Sequence, residues 1–165
     1  MLNKLTLIEN TASEFEQIYG GCAQAVLAGF KENTKVISDD LFRAGTGLAG
    51  GIGLTGNVCG ALLGGALVIG AVRGRSFNDL KDPDKIRYQT LEMVRELYEA
   101  FEAEYGSVCC YDIQTKLMGN SFNLWTQSGK RGFLEKGGRK DKCPSVCRNS
   151  VRWVYEILNG RNLAI

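Results

Sequence analysis

From Ala44 to Val72 the chain carries no charged residue, and ten positions in that run are glycine. A stretch so poor in charge has to be covered, by the rest of the protein or by lipid. Its continuously apolar part, Val58 to Val72, falls short of the roughly 20 residues a membrane-spanning helix needs. We therefore read it as a buried helix, from Val58 to about Arg73 with Asn57 as its cap, and expect no membrane span. Gly60, Ala61, Gly64 and Gly65 sit along that helix, so neighbouring backbones can come close. The preceding run, Gly45 to Gly56, is too rich in glycine to hold a helix.

The remaining periodicities are helical. Leu5, Ile8, Ala12, Phe15, Tyr19, Cys22, Val26 and Phe30 recur at steps of three and four and describe one long helix softened at Gly20-Gly21. A short helix spans Ser38 to Ala44, with Ser38 as cap. Asp82-Pro83 reads as a start signal, a capping acid before proline at the first helical position. The stripe from Ile86 to Tyr105 follows, and Gly106 closes it. Ser107 caps a fifth helix that runs to Met118 and ends at Gly119. Asn120 to Lys142 reads as a polar connection with one short turn near Phe122 to Trp125. Cys143-Pro144 opens the last helix, whose inward face is Val146, Cys147, Val151, Val154, Ile157 and Leu158, closed at Gly160. No strand pattern and no internal repeat appears. The expected fold is all-α, a compact bundle of about six helices around one core with the Gly-rich helix buried in it. With 165 residues and 44% hydrophobic content, residues 1–165 read as a single domain.

Charge and composition narrow the chemistry. The net charge is +2, and the one basic cluster, Lys130, Arg131, Lys136, Arg139, Lys140 and Lys142, lies in the expected connection. It reads as a solvated loop, and no nucleic-acid partner is expected. The chain has no histidine, which removes the usual general base near neutral pH and the commonest nitrogen ligand for metals. No phosphate-cradling glycine motif follows a strand-like run. The acids on the helix after Ile86, namely Glu92, Glu96, Glu99 and Glu102, read as solvated, and no acid–base pair is assigned. The N-terminal residues carry an acid early and lack a long apolar core, so they do not read as an export signal. A reducing cytoplasm is expected, where cysteines serve as ligands or reactive thiols more than as structural disulfides.

Six cysteines remain, Cys22, Cys59, Cys109, Cys110, Cys143 and Cys147, with no C-x-x-C among them. Cys22 follows the Gly20-Gly21 break, Cys59 follows Asn57, Cys110 follows Ser107, and Cys143 precedes Pro144. These four thus fall at or near helix starts, where free backbone N–H groups and the positive end of the helix dipole favour a thiolate. They also lie on apolar stripes, a position that equally suits a small apolar filler; the residues alone leave both readings open. Cys147 reads as filler on the face of Val151 and Val154, or as a second ligand one turn from Cys143. Cys109 faces the polar side with Asp112 and Lys116, as a spare or resolving thiol beside Cys110.

Gly21-Cys22-Ala23, Cys59-Gly60-Ala61-Leu62-Leu63-Gly64-Gly65, Cys110-Tyr111-Asp112-Ile113 and Cys143-Pro144 together resemble the C_GCAxxG_C_C family of bacterial and archaeal redox-active proteins. That family is described by four invariant cysteines, the second inside a C-G-A-x-x-G motif. The likeness runs from about Glu14 to Leu158, and the C-G-A-x-x-G element is its most specific part. It implies an all-helical domain, a redox role, an oxidoreductase or transporter-associated redox partner and, through haem-carrying relatives with a similar domain, an iron–sulfur centre. Carried over by position, its cysteines are Cys22, Cys59, Cys110 and Cys143, while Cys109 and Cys147 fall outside the pattern.

Three occupants of such a site are expected in turn. An iron–sulfur cluster of the 2Fe-2S type, held for electron transfer, suits an all-cysteine, histidine-free set, with Gly60 and Gly64 leaving room for it. Thiol–disulfide exchange without a cofactor would use Cys109-Cys110 or Cys22-Cys59. A structural zinc ion also suits four thiolates. A plain helical interaction protein is the alternative of a different class, and the Gly-rich helix with the chain's aromatics makes a homodimer the expected assembly.

Overall fold

The structure is a computed structural model that describes residues 3–163 and 165. Among the described residues it contains α-helices and no strands: α1 Lys4–Ile18, α2 Cys22–Asn33, α3 Asp39–Ala44, α4 Gly60–Arg73, α5 Ile86–Tyr105, α6 Cys110–Met118, α7 Gln127–Glu135 and α8 Cys143–Asn159. The all-α expectation holds, but the count is eight rather than six, for two local reasons.

The first is the Gly20-Gly21 break. Both residues take left-handed backbone angles, φ 73° and 95°, so the expected long helix ends at Ile18 and restarts at Cys22. What periodicity reads as one stripe is two helices packed against each other. The second is α7, which lies inside the expected loop. Thr126 accepts a hydrogen bond from the Gly129 N–H at 3.0 Å and caps it. Its sequence, QSGKRGFLE, holds two glycines and almost no apolar stripe, so tertiary contact outweighs propensity there. A π-turn, Gly138–Lys142, then leads into α8.

Two starts lie further along than expected: α4 begins at Gly60 behind Cys59 rather than at Val58 behind Asn57, and α6 at Cys110 behind Cys109 rather than directly behind Ser107. The remaining boundaries follow the expected chemistry. Ser38 caps α3 through the Leu41 N–H at 3.2 Å, and Gly106 and Gly119 close α5 and α6 in the left-handed conformation. Asp82 does cap α5, but across an extra turn: its carboxylate accepts from the Ile86 and Arg87 N–H groups at 2.7 and 2.9 Å, so the helix begins at Ile86.

The core is built by α1, α2, α4, α5 and α8, with α8 packed against all the other four. Phe30, Leu27, Ile69, Leu97, Phe101 and Leu158 are fully enclosed in it; each such side chain stabilises the fold by about 1.5–3 kcal/mol relative to exposure. Gly64 is required where α2 and α4 meet, since a Cβ there would stand 2.6 Å from the Ala23 carbonyl oxygen. Ser150, on α8, satisfies its buried hydroxyl by donating to the Ala61 carbonyl at 2.7 Å. No described helix is long and apolar enough to cross a membrane.

The Gly45–Gly56 run is ordered without being an α-helix. After a 3-10 turn at Gly45–Leu48, consecutive residues Gly50 to Leu54 all take positive φ, including Ile52 at 63° and Leu54 at 61°. Backbone bonds close the winding, among them Gly53 N–H to Gly47 O at 2.8 Å and Gly56 N–H to Gly50 O at 3.0 Å. A β-branched residue held left-handed costs of order 1–3 kcal/mol, so this loop is held in place by its surroundings. An isolated antiparallel bridge, Val58 to Cys109, ties its end to the start of α6.

Candidate functional site

The starts of α2, α4, α6 and α8 meet at one cavity of about 290 Å³. Cys22 and Cys110 are the first residues of their helices, Cys59 is the cap residue of α4, and Cys143 is the first residue of α8. All four line the cavity, and Cys109 and Cys147 do not. The opposite wall is apolar, from Ile113, Leu117, Met118 and Phe133, with Leu54 of the left-handed loop at the rim.

Two features fix the thiols relative to one another. The bridge beside α6 carries Cys59 N–H to Val108 O at 2.8 Å and Cys110 N–H to Asn57 O at 2.6 Å, which locks the α4 start to the α6 start. Gly60 in turn admits the Cys22 sulfur, because a Cβ at Gly60 would lie 2.5 Å from it. Gly60 and Gly64 were expected to make room for an inorganic core; they make room instead for the Cys22 thiol and for the α2 backbone.

The electrostatics separate Cys22 from the rest. The neighbouring Cys59 thiol and the nearby backbone N–H groups of Gly50, Ala23 and Cys22 itself favour its thiolate form. The Cys59 thiol is the largest of these influences, and together they outweigh burial and bring Cys22 down to about 7 from an ordinary value of 9.0. The same pairing with Cys22, together with burial, raises Cys59 well above its ordinary value. Burial pushes Cys110 up to about 12, against a 3.4 Å hydrogen bond from the Gln114 amide. Burial likewise raises Cys143 and Cys147. The expectation that all four helix starts would favour thiolate therefore holds for Cys22 alone.

Cys147 is fully enclosed among core residues, as the filler reading expects, and its thiol leans on the Cys22 carbonyl at 3.7 Å. The Cys109 thiol donates to the Gly56 carbonyl at 3.0 Å. It is engaged with the glycine loop and is not turned towards Cys110's cavity.

Three polar residues at the cavity have no place in the reading of the residues. Arg139 and Lys130, from the basic cluster read as a solvated loop, line the cavity; the Arg139 guanidinium lies over Gly20 and its Nε donates to the Glu16 carbonyl at 3.4 Å. Glu16, on the inner face of α1, is 5% exposed. Its carboxyl is raised well above the ordinary range, chiefly by burial and next by the Cys22 charge, against the nearby Arg139. The available signal was its register: Glu16 stands one turn beyond Ala12 on the stripe that enters the core.

Among the described residues no three Cys, Asp or Glu side chains gather closely enough to hold a metal ion. The donor set suits a thiophilic metal or an iron–sulfur cluster in kind but not in spacing. What the arrangement offers as it stands is one sulfur favoured as thiolate, beside a second thiol, at the wall of a small cavity.

No characterised protein and no solved structure matches the chain. Residues 21–157 match one family model, a span that holds the four cysteines lining the cavity. The chain belongs to the family described as "Putative redox-active protein (C_GCAxxG_C_C)".

Proposed function

We propose that this protein carries out thiol–disulfide exchange, with Cys22 as the attacking sulfur and Cys59 as the resolving one. The juxtaposition of the two carries this reading: Cys22 and Cys59 line one cavity, the Cys22 sulfur is seated against Gly60, the residue after Cys59, and the Cys59 thiol helps bring Cys22 down to about 7. A thiol titrating close to ambient pH combines a large thiolate fraction with useful nucleophilicity.

The exchange balances as follows. The Cys22 thiolate attacks one sulfur of a substrate disulfide; a mixed disulfide forms as the substrate S–S bond breaks, and the second substrate sulfur leaves as thiolate. Cys59 gives its proton to that leaving sulfur and attacks the Cys22 sulfur. The Cys22–Cys59 bond forms, the mixed disulfide breaks, and the first substrate sulfur departs as thiolate. Two electrons pass from the pair to the substrate, and the one proton the pair held ends on the product. Cys110 and Cys143, kept as thiols by burial, do not compete for the substrate.

Oxidising the reduced protein with a small disulfide and mapping peptides by mass tests this. The expected product is one Cys22–Cys59 crosslink, lighter by about 2 Da and reversed by reductant. A crosslink between Cys109 and Cys110, or no crosslink at all, overturns it.

A second reading is an iron–sulfur cluster on Cys22, Cys59, Cys110 and Cys143, favoured by the fact that these four of the six cysteines line one cavity. It requires the four sulfurs to draw together from their present spacing. Iron and acid-labile sulfide in stoichiometric amount after anaerobic purification would favour it over exchange, and zinc alone would point to a structural site.

A further inference from the structure

The cavity's polar residues are left with unused hydrogen-bonding capacity. Glu16 Oε2 and Arg139 Nη2 are both buried and both without a partner. Native proteins rarely leave such groups unmatched, because taking them out of water without a new partner is costly. The same helix supplies a control. Glu9, two turns earlier on the inner face of α1, is also buried, and its carboxylate meets Arg152 Nε at 2.7 Å. At Glu16 an arginine is again at hand, yet its guanidinium engages the Glu16 main-chain carbonyl and not the carboxyl. One acid is closed off by its own arginine; the other is left open, beside the reactive sulfur.

Resting on the exchange reading, we propose that the cavity takes a small apolar molecule carrying a single carboxylate and a reactive sulfur. Arg139 Nη2 binds the carboxylate in the charge-assisted geometry that guanidinium favours, and the Glu16 carboxyl, with its own oxygen unpaired, stands beside it at the cavity. Lys130 adds a second positive charge at the wall. Leu117, Met118 and Phe133 cover the apolar body. At about 290 Å³ the space is at the lower end of small-molecule sites, roughly 300–1,000 Å³, which suits an acid of eight or so carbons and excludes a folded partner's surface. The four thiols of the family pattern do not require Glu16 or Arg139, so this pair is a specificity device separate from the exchange itself.

Calorimetry with octanoate and octanamide, two probes of nearly equal shape and different charge, tests the site without any redox step. Wild-type protein should bind octanoate at least tenfold more tightly than octanamide. Arg139→Gln should bind octanoate at least tenfold more weakly than the wild type. Equal binding of the two probes, or no binding of either, overturns the proposal, and that comparison needs no variant that might misfold. Failure of the exchange reading is seen separately, as the absence of a Cys22–Cys59 crosslink in a protein that still binds octanoate.

Discussion

The two sides of the thiol cavity start from the same local structure and end in opposite chemistry. On one side Cys22 stands at the start of α2, half-buried, with the backbone N–H groups of Gly50 and Ala23 and the Cys59 thiol favouring its charged form. On the other side Cys110 and Cys143 stand at the starts of α6 and α8, and find between them one amide donor, from Gln114. Burial opposes ionisation on both sides. It wins where direct donors are few and loses where they are several. A helix start is therefore not by itself a device for activating a thiol: the dipole and free N–H groups of the first turn help only if they reach the sulfur.

The sharpest way to break this contrast is to remove the activated sulfur. Cys22→Ser should lower the rate of exchange with a small disulfide by about 10³-fold or more, measured by stopped-flow at neutral pH, with the thermal midpoint close to wild type. Disturbing the close approach that shapes the site comes next. Gly64→Ala places a Cβ 2.6 Å from the Ala23 carbonyl oxygen, against backbone that cannot swing aside. Overpacking of this kind should cost about 1–3 kcal/mol of stability, read by denaturant unfolding, and should slow Cys22 by shifting α2. The smallest effect belongs to the opposite wall. Cys143→Ser should change the rate of Cys22 alkylation by less than about threefold, whereas a site built on four equivalent thiolates would lose its function with any one of them.

Much of the fold was legible in the sequence because its long helices carry clear stripes and strong punctuation. Ser38, Gly106, Gly119 and Cys143-Pro144 sit where the structure begins or ends helices. What escaped was decided by contact across the chain. Gly20-Gly21 breaks a stripe that continues in register through it, so two helices look like one. α7 has hardly any stripe of its own and depends on Thr126 and its packing against the π-turn. The five consecutive residues from Gly50 to Leu54, with Gly56 beyond them, that turn the backbone left-handed show in sequence only as an excess of glycine. The cavity was half legible: the four family cysteines are all on it. Arg139 was hidden in a basic run that looks solvated, and Glu16 at the end of a stripe read only for its apolar residues. Neither reveals itself until α1 and the segment before α8, 123 residues apart, are brought together.

The most direct test of the central claim is a pH series of alkylation resolved by residue. Reduced protein is pulsed with iodoacetamide across the pH range, digested, and each cysteine peptide quantified. The account predicts that Cys22 reacts first, with a half-maximal rate at about pH 7 and a roughly tenfold fall for each unit below it. Cys59, Cys110, Cys143 and Cys147 should stay unmodified at that pH, since burial holds each as a thiol. A Cys22 midpoint near the ordinary 9.0, or Cys110 and Cys143 reacting as fast as Cys22 at neutral pH, would contradict it.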